Sequence, residues 1–74
     1  MKIMEIKARV PGKLVRFEKN VGDQVEVKDV VAVMEAMKMK QLVPSPVKGI
    51  LKELKVNPGE RVNAGAVLAI VEEQ

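Results

Sequence analysis

Lys38 is the residue in this sequence best placed to do chemistry. It stands between two methionines in Glu35-Ala36-Met37-Lys38-Met39. A primary amine accepts acyl groups, and flexible thioethers beside it offer an adaptable apolar border for another protein to grip. Little else in the chain is reactive. There is no Cys and no His, so thiolates, the commonest metal ligand and the commonest general base are all missing. Asp23, Asp29 and the glutamates are scattered, as solvated surface residues are. Neither a metal site nor a catalytic constellation is expected. Lys38 then reads as a lysine that is modified, or as part of a surface that another protein reads.

The local sequence around Lys38 carries a conflict. Met34 to Leu42, "MEAMKMKQL", consists largely of strong helix formers. Its flanks, "DVVAV" and "VPSPVKGIL", are rich in β-branched residues and turn formers. An isolated helix of that length does not survive in water, because nucleation is costly. The flanking strands are therefore expected to set the conformation.

An internal repeat shows how they do so. Shifting the chain by the distance from Gly22 to Gly59 superimposes Gly12 on Gly49, Leu14 on Leu51, Asn20 on Asn57 and Val25 on Val62. Val30-Val31-Ala32-Val33 then falls on Val67-Leu68-Ala69-Ile70, and Glu35 on Glu72. Each half reads as short strands: Ile3–Lys7, Gly12–Phe17 and Val30–Met34 in the first, Met39–Val43, Gly49–Leu54 and Val67–Val71 in the second. "NVGD" and "NPGE" are turns in which Gly22 and Gly59 supply positive φ. The expected architecture is all-β, about eight short strands in a sandwich or flattened barrel with two similar halves. Residues 36–38 correspond to the gap between the chain's end and its beginning. The symmetry thus predicts a hairpin tip there, opposite the termini, with Lys38 projecting from it. Gly, Asn or Asp are the natural residues of such a turn. Met-Lys in their place points to selection by something other than folding.

Composition limits the remaining functions. Seventy-four residues make one small domain, 1–74. The formal charge of +3 comes from Lys and Arg interspersed with Asp and Glu, and Phe17 is the single aromatic. No stacking platform for nucleic acid results, and nucleic-acid binding is not expected. No apolar run has the length of a membrane span and no signal-peptide core opens the chain, so a cytoplasmic protein without direct membrane contact is expected.

The residues also resemble a known family. "EAMKM" at 35–39 is similar to the attachment motif of biotinyl domains, the biotin carboxyl carriers of biotin-dependent enzymes. The resemblance extends through "PGKL" at 11–14, "VGDQV" at 21–25, "VVAVMEAMKM" at 30–39, "PSPVKGIL" at 44–51 and "GERVNAGAVLAIVE" at 59–72. It implies a flattened β-barrel of two four-stranded antiparallel sheets with quasi-twofold symmetry. It implies covalent biotin on the side-chain nitrogen of Lys38, with Glu35, Ala36, Met37 and Met39 as recognition residues. The implied partners are a biotin protein ligase and the biotin carboxylase and carboxyltransferase subunits or domains of a carboxylase, decarboxylase or transcarboxylase. The domain itself would be a carrier and not a catalyst. Two departures stand out. Family members often have an acidic residue and Asn after "MKM", where this chain has Lys40 and Gln41. The segment between Phe17 and Gln24 leaves no room for the protruding loop of some acetyl-CoA carboxylase carriers. The chain looks more like the carriers that lack that loop. Lipoyl domains share the fold but usually place Asp before the lysine and Ala after it, so Met37 and Met39 argue for biotin. A non-carrier binding module would leave the Met-Lys-Met tip without a role.

Overall fold

The computed structural model describes residues 2–74. Eight strands run in order: β1 Lys2–Lys7, β2 Gly12–Phe17, β3 Gln24–Val25, β4 Val30–Ala36, β5 Met39–Pro44, β6 Gly49–Leu54, β7 Arg61–Val62 and β8 Val67–Glu73. Every strand of the first half maps, end for end, onto its counterpart in the second under the sequence shift. Two four-stranded antiparallel sheets result, ordered β1-β8-β6-β3 and β5-β4-β2-β7. Exchanging the halves converts one order into the other. Each sheet has a central pair from one half and edge strands from the other, so neither half is complete alone.

The repeated apolar positions meet between the sheets. Leu14 and its mate Leu51 are fully buried, as are Val31 with Leu68 and Ala32 with Ala69. Met34 and Val71 fill the equivalent space further along β4 and β8. Each large aliphatic side chain buried there contributes roughly 1.5–3 kcal/mol. Val33 is also buried, at 2 % exposure, although it faces away from this core. Its cross-strand neighbours, on the same face of the sheet, are Arg16 on β2 and Leu42 on β5. That is why β4 reads as a continuous apolar run and not as an alternation.

Glycines hold the halves together in two ways. Gly22 and Gly59 have φ of 96° and 94°. Their N–H groups donate to the carbonyls of Leu51 and Leu14, each at 2.7 Å, so each turn is stitched to the other half. Asp23 accepts the Asn20 N–H at 2.8 Å, and Glu60 accepts that of Asn57. A Cβ at either glycine meets nothing within 4 Å, so Ala there suffers only from its left-handed backbone. Gly22→Ala and Gly59→Ala should each destabilise the domain by about 1 kcal/mol. Thermal melts indistinguishable from wild type in both would contradict this account of the turns. Gly12 and Gly49 are constrained differently, by the close approach of β4 and β8.

β3 and β7 are the elements that the sequence does not disclose. Two residues are too few to show a period. Their one shared cue is the pair Val25 and Val62, of which Val25 is fully buried and Val62 packs on the core.

Candidate functional site: the Met37-Lys38 tip

β4 and β5 form a hairpin closed by Met37 and Lys38. The register runs Met34↔Gln41, Glu35↔Lys40 and Ala36↔Met39, leaving a two-residue loop. Both loop residues have positive φ, 53° at Met37 and 66° at Lys38. This is the sign pattern of a type I′ turn, whose twist matches that of the flanking strands. Asn-Gly adopts it readily. For residues with ordinary side chains the left-handed region costs about 1–2 kcal/mol each. The paired strands impose this geometry on a sequence that locally prefers helix, and strain of this kind concentrates at functional positions.

The result is a projecting amine. Met37 is 95 % exposed and Met39 64 % exposed. Lys38 is exposed and, among the described residues, takes part in no ion pair. Glu35 is also exposed, between Lys40 on β5 and Lys13 on β2. A groove of about 450 Å³ runs beside the tip, lined among others by Pro11, Lys13, Arg61 and Asn63. Among the described residues no cluster of three His, Cys, Asp or Glu side chains is arranged to hold a metal. The chemistry this site offers is acyl acceptance at the Lys38 Nζ.

One residue of the expected recognition set, Ala36, is buried. Ala36 is 9 % exposed and lies against β2, its Cβ 3.3 Å from where a Cβ at Gly12 would be. It is a small packing residue that lets β4 and β2 run together directly beneath the turn. Glu35, Met37 and Met39 remain on the surface. Gly12, the other half of that contact, has no packing role assigned from the sequence alone. Its alignment with Gly49 across the repeat was the signal that pointed to it.

Comparison with known proteins places this geometry in a class. The chain belongs to the family described as biotin-requiring enzyme, whose biotin/lipoyl model matches residues 3–71. It is a biotin/lipoyl attachment domain. A biotin/lipoyl attachment protein of Bacillus subtilis is 37 % identical over 65 residues, covering 88 % of this chain and 89 % of that protein. Pyruvate carboxylase of Staphylococcus aureus is 31 % identical over 67 residues, 90 % of this chain. The dihydrolipoyllysine-residue acetyltransferase component of the Mycoplasma genitalium pyruvate dehydrogenase complex is 33 % identical over 63 residues, 85 % of this chain. The chain spans only 6 % and 16 % of the lengths of these last two. The urea carboxylase of Kluyveromyces lactis contains a region that superposes with a TM-score of 0.92 at 26 % identity, over 97 % of this chain and 6 % of that one. Among the described residues no helix is long and apolar enough to cross a membrane.

Proposed function

We propose that this domain is a biotin carboxyl carrier, with biotin held in an amide on Lys38 Nζ. The observation that supports it most is the tip itself: an exposed amine, without an ion pair among the described residues, on a two-residue turn between exposed Met37 and Met39. Acylation there follows from simple chemistry. The neutral Lys38 amine attacks the acyl carbon of biotinyl adenylate. A C–N bond forms, the C–O bond to AMP breaks, AMP leaves and the amine's proton passes to solvent. The group so held supplies a ureido nitrogen that accepts and releases a carboxyl group. The protein's own contribution is position. The strand pairs below the turn present Lys38 away from the sheet, and tethering raises the local concentration of the attached group at each enzyme it visits. The partners proposed are a biotin protein ligase and the carboxylase and carboxyltransferase components of a biotin-dependent enzyme.

Relatives of both biotin and lipoyl type match this chain, so the test must separate them. Purified protein is offered to biotin protein ligase and lipoate ligase together, with ATP, biotin and lipoate, and its intact mass is followed. Gain of one biotinyl group is expected. Gain of a lipoyl group instead would reassign the domain to the lipoyl class.

Met37 and Met39 serve recognition in this reading. Replacing both with Leu keeps bulk and hydrophobicity, and the exposed tip has no packing to lose. The melting temperature should change by less than about 4 °C, corresponding to under 1 kcal/mol, while the rate of biotinylation or carboxyl transfer changes. A large loss of stability with unaltered kinetics would show that the methionines are packing residues.

A further inference from the structure

Directly behind the tip, four exposed side chains form one row across the sheet: Lys40 on β5, Glu35 on β4, Lys13 on β2 and Arg61 on β7. The register pairs Lys40 with Glu35, Glu35 with Lys13, and Lys13 with Arg61. At the usual strand spacing the row is roughly 14 Å long. Three cations against one carboxylate leave it at +2, before Lys38 is counted. Among the described residues none of the three cations takes part in an ion pair. Lys13 and Arg61 also stand directly opposite each other, a like-charge pairing that works against the sheet.

The internal repeat provides a control within the molecule. The equivalent row on the other sheet is Ile3, Glu72, Ile50 and Gln24, paired in the same register. It keeps the carboxylate and has no cation, so it stands at −1. The backbone requirements of the two rows are the same. The three cations therefore do not serve the fold, and they occur only on the sheet that carries the tip.

We propose that Lys40, Lys13 and Arg61 dock an acidic protein surface on the enzyme that acylates Lys38. The proposal rests on the carrier reading above. Such a row steers encounter and sets the orientation in which the tip arrives, and exposed rim charges act mainly on association rate and its salt dependence. Glu35, at the centre of the row, fixes register by meeting a cation of the partner.

The test is steady-state biotinylation of the whole chain by the biotin protein ligase of its source organism, at low and high salt. The variant K13Q/K40Q/R61Q removes the row. The variant K48Q/K52Q/K55Q lowers the net charge equally, at exposed positions outside the row. The first should lose about tenfold in kcat/KM at low salt, mostly through KM, and become nearly salt-independent. The second should behave as wild type, and both should melt near the wild-type temperature. Equal losses in the two variants would reduce the effect to net charge and overturn the proposal. So would unchanged KM and salt dependence in the first. Salt-sensitive binding of a labelled DNA duplex or of phosphatidylserine vesicles, lost in the first variant while its KM is unchanged, would assign the row to a different polyanion. A wild-type chain that accepts no biotin would overturn the carrier reading itself, and the docking proposal with it.

Discussion

Gly49→Ala is expected to be the most damaging single-methyl change in this domain. A Cβ at Gly49 collides with the carbonyl oxygen of Glu72 and lies 2.8 Å from the carbonyl carbon and 2.9 Å from Val71 Cγ1. Those atoms belong to β8, the strand to which β6 is hydrogen-bonded along its length. Backbone in a paired strand cannot yield as a side-chain end can. β6 and β8 must separate there, in a domain whose total stability is on the order of 4–11 kcal/mol by its length. A loss of about 3 kcal/mol or more is expected, lowering the melting temperature by roughly 12–24 °C. Gly22→Ala, which meets open space, should cost far less. Circular dichroism melts of the two variants decide this. Equal transitions would mean that β6 and β8 are further apart than the structure shows. The symmetric change Gly12→Ala brings a Cβ to 2.5 Å from the Glu35 carbonyl oxygen. It should destabilise comparably and also slow acylation, since it displaces the strand that leads into the tip.

Lys38→Arg should abolish acylation while leaving the fold intact. The guanidinium keeps the charge and has similar reach, but it stays protonated at any working pH and offers no free nucleophilic amine. Lys38 is exposed and takes part in no ion pair among the described residues, so stability should move by no more than about 0.5 kcal/mol. Lys40 does not substitute. It lies within β5, opposite Glu35, with its backbone fixed in the sheet and not at the turn. Streptavidin blotting after ligase treatment checks this. A residual signal of wild-type strength would place the acceptor on another lysine.

The repeat was the most legible feature of the sequence. Matching glycines and apolar positions located six strands and the hairpin tip; Gly12–Phe17 and Gly49–Leu54 have the expected bounds, and the other four strands extend theirs by one or two residues. Val30–Met34 continues to Ala36, and Val67–Val71 to Glu73, because the last turns of pairing involve Glu and Ala, which carry no strand signature. The two short strands were silent for want of length. The tip illustrates the opposite case: propensity favours helix over 34–42, and antiparallel pairing overrides it. The basic row was invisible in the sequence because its members lie on four strands. Lys13 and Arg61 are far apart along the chain, and only the register brings them together. The burial of Ala36 was not legible for a related reason. Motif membership does not distinguish a residue that a partner touches from one that packs beneath the turn.

The central claim is that Lys38 carries biotin. It is tested most directly by co-expressing the whole chain with a biotin protein ligase, in medium containing biotin and lipoate, and sequencing the tip peptide by tandem mass spectrometry. The account predicts a single biotinyl group, with the fragment ions placing it between Met37 and Met39. A lipoyl group at Lys38, a biotinyl group at any other lysine, or an unmodified tip would contradict it.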